Sequence, residues 1–523
     1  MSLLKSLATV SGMTVVSRVL GFFRQVLFAG VLGASEGPVA DAFWAAFRLP
    51  NMFRRLFAEG AFHAAFVPLF SGALRGEEGE AKRFAEDVLA TLMTILLALT
   101  AVAEIAAPVF VYGLASGFSD DPERFDLAVA FTRIMFPYLI CMSMVGLMSG
   151  VLNSLNHFFV PATVPILLNL FWIIAAVFFA DAGPTTGHVA AWGAMLAGVA
   201  QAVTLYLACA KAGFVFRPRA PKLTPEVKRL IKLGVPGFIA AGATSMNLVI
   251  GTNVASQQDG AVSWLFYADQ YYQLPLSAVG IAMGVVLLPE LSRRVKAADE
   301  AGAAKALNRA IEASLFLSLP AAAAFIAAPV ALMDAFNREL PALLLGDSAY
   351  TVEDGVQTGR ALAAFACGLP AFVLIKVFSP AFFAREDTRT PMRYALASIA
   401  INAVGSVALY AVFGFLGVAI ATSLAAWFNA GSLALKLQRL GLFAPDARLT
   451  RRVPRMSFAA LAMAGAIGAL AENAGIFAGL FFGQIWLTLL ALLAATGLLY
   501  VALCLAIGGA SLRDLDRLKR RAA

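Results

Sequence analysis

The chain has 523 residues, of which 60% are hydrophobic and 14% are charged, whereas an ordinary soluble domain carries about 25% charged residues. A soluble protein this apolar would lack the polar residues to cover its surface. The 41 Phe residues would collapse an unfolded chain, and the 43 Gly and 23 Pro residues follow no period, which excludes disordered and collagenous classes. The composition indicates a protein that crosses a membrane many times.

Hydropathy along the chain predicts the crossings. With about 20 apolar residues for each crossing, we count fourteen candidate spans. They lie near residues 7–33, 40–70, 84–113, 127–153, 160–180, 188–210, 229–255, 262–291, 310–336, 361–384, 394–413, 416–435, 456–472 and 478–508. The long apolar run 84–110 has no alternation of period two, which favours helices over the strands of a β-barrel. The predicted fold class is an all-α polytopic membrane protein.

The ends of the chain and its cysteines add two expectations. No small-residue cleavage site follows the first apolar stretch, so we interpret it as a transmembrane helix and not as a removable signal peptide. The cysteines are single and widely spaced, which predicts neither a disulfide framework nor a zinc site. They are Cys141, Cys209, Cys367 and Cys504.

Lysine and arginine are distributed unevenly between alternate loops. If the N-terminus is cytoplasmic, only Arg124, Arg338 and Arg360 lie in loops on the opposite side. The cytoplasmic side then holds the basic residues of both tails and of the loops near 75–83, 211–229, 293–309, 385–393 and 436–455. Because basic loops stay in the cytoplasm, both termini are predicted there. This topology explains the net charge of +8 without a nucleic-acid partner.

An internal repeat is visible at an offset of about 225 residues. Leu49-Pro50 recurs as Leu274-Pro275, and Pro161 corresponds to Pro391. Six crossings return the chain to the side where it began, so the repeats are predicted to be parallel, facing a central cavity and suited to alternating access. The predicted domains are a first six-helix lobe, a second six-helix lobe and an extra hairpin with a basic tail. Their bounds are 1–220, 221–445 and 446–523.

Eight basic residues fall within or beside predicted spans, where each costs roughly 2.5–3.5 kcal/mol at a helix centre. They are Arg18, Arg24, Arg48, Arg54, Arg55, Arg133, Lys232 and Lys376. The acidic residues in the same segments are fewer. They are Asp41, Glu59, Glu104 and Asp269. This excess of arginine indicates an aqueous cavity for an anion, and the planar guanidinium favours phosphate or carboxylate. The alternative is that Asp41 or Glu59 neutralises the arginines in a packed bundle.

Two spans carry a polar face at helical spacing. In the first span, Arg18 and Arg24 share an arc with Ser17, Gly21 and Gln25, and the opposite arc is apolar. In the eighth span, Asp269, Gln270 and Gln273 form a seam beside glycines. Small residues also allow membrane helices to pack closely, so for this second face lining and packing both stay open.

Chemistry other than transport has little support in the sequence. Ser and Cys residues lack a matching His and acid, so no nucleophile is predicted, and no cofactor or nucleotide site is visible. An embedded polyprenyl-phosphate transferase would need clustered acids that bind Mg²⁺. The nearest group, Glu77, Glu78 and Glu80, is interpreted more simply as a solvated turn. The chain is therefore predicted not to be an enzyme.

Several motifs together carry a family resemblance. They are Ser17-Arg18-Val19-Leu20-Gly21-Phe22-Phe23-Arg24, Asp41-Ala42-Phe43, the run from Leu49 to Phe62, Tyr267-Ala268-Asp269, and Lys376-Val377-Phe378-Ser379-Pro380 followed by Arg385-Glu386-Asp387-Thr388. With these motifs the sequence resembles the MurJ/MviN lipid II flippases of the multidrug/oligosaccharidyl-lipid/polysaccharide exporter superfamily. The resemblance implies a duplicated twelve-helix core with an extra hairpin. It also implies transfer of the undecaprenyl-pyrophosphate-linked peptidoglycan precursor to the outer leaflet of the bacterial cytoplasmic membrane.

The resemblance also implies site residues. Arg18, Arg24 and Arg54 would engage the pyrophosphate, and Asp41 and Asp269 would be essential acidic partners. Similar proteins usually carry arginine directly after the aspartate matched by Asp269, where this chain has Gln270. Either Lys376 or Arg48 supplies the missing charge, or the first lobe carries more of the substrate contact.

The expected cycle needs no nucleotide. The lobes would rock, with Leu49-Pro50 and Leu274-Pro275 as break points in helical segments. A diphosphate of charge about −2 that leaves a negative-inside cell gains roughly 4.6 kcal/mol per 100 mV. Membrane potential or a coupling ion remain open as the driver, and a monomer is expected. The alternative function is a sibling exporter of another polyprenyl-linked oligosaccharide or of drugs.

Overall fold

The structure, a computed structural model, describes residues 3–58, 61–77, 79–178, 183–283, 287–481 and 483–511. Within these ranges the regular structure is helical and contains no strand. The helices are α1 (Leu3–Leu32), α2 (Val39–Ala58), α3 (Ala61–Ala73), α4 (Glu80–Leu114), α5 (Pro122–Met135), α6 (Tyr138–Ser154), α7 (Phe159–Phe178), α8 (Pro184–Lys211), α9 (Pro225–Ala255), α10 (Ala261–Ala282), α11 (Leu288–Lys296), α12 (Glu300–Ala327), α13 (Pro329–Asp334), α14 (Leu340–Leu345), α15 (Val352–Phe383), α16 (Arg389–Phe413), α17 (Leu416–Arg439), α18 (Ala447–Glu472), α19 (Ala474–Phe477) and α20 (Ile485–Ala506). The predicted all-α class is confirmed.

Within the described residues, each predicted span lies largely in helix. Eleven described segments are long and apolar enough to cross a membrane. The second, seventh and eighth predicted spans, which correspond to α2–α3, α9 and α10–α11, are not among the eleven. Residues 59–60 of the second span and 284–286 of the eighth lie outside the described residues, and α2 carries several arginines. The count of fourteen crossings therefore stays a prediction.

Prolines inside helices do not all end them. The helices α2 and α10 continue through Pro50 and Pro275, so neither proline terminates its helix as the sequence suggested. The fourth predicted span does break, because α5 ends at Met135 and α6 begins at Tyr138 on either side of Pro137. A proline removes one backbone donor, and its neighbours decide whether the helix continues.

The chain forms two compact units. The first contains residues 1–263 and 344–350, and the second contains residues 264–343 and 351–523. The predicted lobe boundaries at residues 220 and 445 stay predictions.

In the first unit a short segment packs on the end of α1. The Ala349 N–H donates to the Gly30 carbonyl oxygen at 2.6 Å. Gly33 ends this turn with φ of +65°, and a Cβ atom there would lie 2.4 Å from the Ala349 carbonyl oxygen. Only glycine combines that backbone angle with such a close approach.

Side-chain caps set several helix starts. Asp121 accepts from the Arg124 amide at 3.2 Å at the start of α5, and Asp446 accepts from the Leu449 amide at 2.7 Å at the start of α18. The α15 start has a full capping box, in which Thr351 and Asp354 bond each other's amides at 3.0 Å. Such caps satisfy backbone donors that the first helical turn leaves unpaired.

Candidate substrate-binding site

The polar face of α1 packs against α7. The Arg24 guanidinium donates from Nη1 to Asn169 Oδ1 at 3.0 Å, and the Asn169 amide donates from Nδ2 to the Ser17 carbonyl at 2.9 Å. Gly21 lies between these two contacts and leaves room for the Asn169 side chain. Arg24 is half-buried and Arg18 is exposed. The polar face of α1 predicted from the sequence is thus present in the structure. Its partner Asn169 was missed by sequence reasoning.

An aromatic cluster around Trp172 packs against the Arg24 guanidinium. The Arg24 guanidinium carbon lies 4.7 Å from the centroid of the Trp172 ring, within the range of a cation–π interaction. The Trp172 indole is fully buried and donates to the Ala190 carbonyl at 3.0 Å. Phe47 packs on it at 4.8 Å and Phe28 at 4.9 Å between ring centroids. The ring is thereby fixed, and it holds the guanidinium in one orientation.

Gln25 is the next residue on α1 and has an unusual environment. Its side chain is 2% exposed. Neither its amide nitrogen nor its amide oxygen has a hydrogen-bond partner among the residues that the structure describes. A buried amide without partners costs about 1–3 kcal/mol. The sequence placed Gln25 on the polar face but gave no reason to single it out.

Asp41 is buried at the start of α2, with 1% of its surface exposed. Its carboxylate accepts from the Gly260 amide at 2.8 Å, from the Ser263 amide at 2.9 Å and from the Ser263 hydroxyl at 2.6 Å. These bonds satisfy backbone donors at the first turn of α10. Its hydrogen bonds in the structure thus go to residues 260–263 of the first unit.

Arg124 and Asp259 lie near this carboxylate. The Arg124 guanidinium forms an ion pair with Asp259 and a second one, at 3.4 Å, with Asp121. Arg124 is 6% exposed. In the sequence Arg124 was only one of three basic residues on the predicted outer side. In the structure its buried guanidinium pairs with two carboxylates that are themselves exposed.

The remaining predicted residues are divided between the two units. Asp269 and Gln270 are half-buried on α10, and the Gln273 amide donates to the Asp269 carboxylate. Lys376 is exposed on α15, and Arg48 is half-buried on α2. The side chain of Arg54 lies outside the described residues, as do those of Arg55 and Glu59. The substrate-contact roles of these residues stay predictions.

Comparison with solved structures shows which fold the chain has. The fold matches a multidrug resistance MATE family transporter of the MOP superfamily with a TM-score of 0.61, at 16% identity over 82% of this chain and 95% of that one. It matches a lipid II flippase MurJ in an inward closed conformation with a TM-score of 0.76, at 24% identity over 94% of this chain and 98% of that one. The chain therefore has the fold of a polytopic α-helical transporter.

Sequence comparison gives the family. The family described as lipid II flippase MurJ matches residues 28–490. A probable lipid II flippase MurJ from Rhizobium meliloti (strain 1021) is 44% identical over 100% of this chain and 97% of its own length. The chain belongs to the MurJ lipid II flippase family, as the motifs of the sequence predicted.

Proposed function

We propose that this protein moves lipid II, an undecaprenyl-diphosphate-linked disaccharide-peptide, from the inner to the outer leaflet of the bacterial cytoplasmic membrane. Family membership over nearly the whole chain supports this function. The observation that carries it at the level of residues is the fixed Arg24 guanidinium, which Asn169 and Trp172 hold on a polar helix face. Such a guanidinium suits a diphosphate, because its planar donors match phosphate oxygens in pairs.

The proposed contacts extend along α1 and to α2. Arg18, Arg24 and Arg54 engage the diphosphate, and Gln25 offers a buried amide next to Arg24 on α1. Lys376 or Arg48 supplies the charge that Gln270 lacks. The polyprenyl tail stays in lipid, so only the polar headgroup needs a path across the membrane.

The proposed cycle moves the substrate without breaking a bond. Alternating access carries the headgroup outward, with both termini in the cytoplasm and the protein acting as a monomer. A charge of about −2 gains roughly 4.6 kcal/mol per 100 mV when it leaves a negative-inside cell. Membrane potential is therefore a sufficient bias, and a coupling ion at Asp269 is the alternative driver.

Arg24→Ala tests this function in a strain depleted of its own lipid II flippase. We expect the native chain to restore growth and exposure of lipid II at the outer leaflet, and the variant to lower that exposure at least tenfold at equal expression. Arg360→Ala is the matched control, because Arg360 is exposed on α15 and should leave transport unchanged.

Two results would contradict the proposal. Full transport by Arg24→Ala would show that Arg24 does not contact the diphosphate. Failure of the native chain to complement, although it is expressed and inserted, would favour a sibling exporter of another lipid-linked sugar.

A further inference from the structure

The helix α4 lacks one backbone donor deep within its apolar stretch. Pro108 lies inside α4, and a proline leaves the carbonyl four residues earlier without its helical N–H. That carbonyl belongs to Glu104. It lies ten residues before the end of the helix at Leu114, which is about 15 Å along the axis. This is near the middle of a hydrocarbon core of about 30 Å, where an unsatisfied carbonyl costs several kcal/mol.

An arginine from the neighbouring helix supplies the missing donor. Arg133 Nε donates to the Glu104 carbonyl oxygen at 3.1 Å. Arg133 lies eleven residues after the start of α5 at Pro122, which is about 16 Å along that axis. The two residues are therefore at the same depth from the same pair of helix ends. Arg133 itself stands four residues before Pro137, which lies in the break between α5 and α6.

Arg133 lies among side chains that face lipid, where a charged group is unfavourable. On α4 the adjoining Ile105 and Val109 are 82% and 72% exposed, as expected for side chains that face lipid. Arg133 is exposed as well, and an arginine that faces lipid costs roughly 2.5–3.5 kcal/mol. Below it, Phe110 and Phe136 stack with ring centroids 6.3 Å apart and join α4 to the α5–α6 break.

The carboxylate of Glu104 attracts Arg133 through its charge but does not accept its hydrogen bond. Its Oε1 atom is buried and has no hydrogen-bond partner among the described residues. The bond that Arg133 makes there goes to the backbone of Glu104 and not to its side chain. The carbonyl that Pro108 leaves without an amide donor therefore accounts for the hydrogen bond of Arg133, and the Glu104 carboxylate adds a charge attraction.

We propose that Arg133 and Pro108 form a proline hinge in α4, in which the guanidinium replaces the absent amide. A side-chain donor breaks and reforms this bond without unwinding the helix, so α4 bends between residues 104 and 108 during transport. The pairing is a property of the fold alone. The use of the hinge in transport rests on the proposed function.

A double-mutant cycle tests the pairing. Arg133→Met keeps the apolar stem and removes the donor, and Pro108→Ala restores an amide that donates to the Glu104 carbonyl. We expect Arg133→Met to lower the thermal unfolding midpoint of the purified full chain by about 2–4 °C. In the Pro108→Ala background the shift should fall below about half of that. An equal shift in both backgrounds would overturn the pairing.

Two variants serve as matched controls. Pro165→Ala removes another proline inside a helix of the same unit and should not reduce the effect of Arg133→Met. Glu104→Gln keeps the backbone carbonyl and should leave the midpoint within about 1 °C of the native value. Rescue by Pro165→Ala, or a Glu104→Gln loss as large as that of Arg133→Met, would contradict the pairing.

Transport separates a hinge from a rigid support. The double variant Pro108→Ala with Arg133→Met should regain thermal stability but expose at least fivefold less lipid II than the native chain, because a regular α4 resists bending. Full recovery of both properties would overturn the hinge. If the native chain moved no lipid II, the proposed function would fail, and the thermal cycle would still decide the pairing.

Discussion

At the scale of single residues, two buried glutamines differ in their hydrogen bonding, because Gln201 bonds through its amide nitrogen alone and Gln25 through neither amide atom among the described residues. The Gln201 amide donates to the Val164 carbonyl at 3.0 Å and thereby joins α8 to α7. Gln25 is equally buried, and its amide has no partner among the described residues. An unmade hydrogen bond is unfavourable in the folded state. A buried amide without partners is retained where it contacts a ligand or water. Substitutions at Gln25 and Gln201 therefore distinguish a role in transport from a role in stability.

Gln25→Leu should therefore lower transport without lowering stability. The leucine has a similar volume and removes an unpartnered amide, so we expect an unfolding free energy equal to or up to about 1 kcal/mol above that of the native chain. Exposure of lipid II at the outer leaflet should fall several-fold. The measurements are thermal unfolding in detergent and the outer-leaflet exposure assay.

Gln201→Leu is the matched control, because it removes a made hydrogen bond and should cost about 1 kcal/mol. If Gln25→Leu lost stability to the same extent, or kept full transport, Gln25 would be a packing residue and not a substrate contact.

At the scale of elements, one buried carboxylate binds several arginines. The sequence placed these arginines only in basic loops near residues 293–309 and 436–455. On α12, Glu312 accepts two bonds from Arg448 at 2.9 and 3.0 Å and further bonds from Arg309 and Arg452. The arginines at the start of α18 thereby join this helix to α12 within the second unit. Buried carboxylates of this kind are strongly stabilising when paired and costly when one partner is lost.

Glu312→Gln should weaken the second unit. The glutamine keeps the shape but leaves three arginines without their shared anion, and we expect a loss of about 2 kcal/mol, below the range for fully buried pairs because the arginines are partly exposed. Thermal unfolding measures it. Glu353→Gln changes an exposed glutamate on α15 and should have no effect. Equal effects of the two variants would show that the Glu312 cluster contributes nothing specific.

At the scale of the whole molecule, charge asymmetry and length govern the membrane topology. The basic loops alternate with loops that contain few cations, and the apolar helices are long enough to cross a bilayer. Both properties depend on side-chain type and order along the chain, so they are readable before any fold is known.

Site-directed labelling tests the predicted topology. In a background without the four cysteines, Asp347→Cys should react with a membrane-impermeant thiol reagent in intact spheroplasts. Lys222→Cys should react only after permeabilisation, because it lies in a basic loop. Both native side chains are exposed, so burial does not explain a difference. The reverse pattern would invert the proposed orientation of both termini.

The sequence by itself determined the class, the approximate spans, the polar face of α1 and the family. Each depends on composition, helical period or a contiguous motif, and these are local properties. Arg18 and Arg24 were predicted on one face because 3.6 residues per turn places them there.

Tertiary structure decided the partners. Asn169 and Trp172 lie more than 140 residues from Arg24 in the chain, and Asp41 caps a turn at residues 260–263. No period or motif encodes such contacts, because they depend on how helices pack. Likewise the helix breaks at Pro137, between α5 and α6, whereas α4 continues through Pro108. In α4 the freed carbonyl finds its donor on another helix, and only the packed fold can supply that donor.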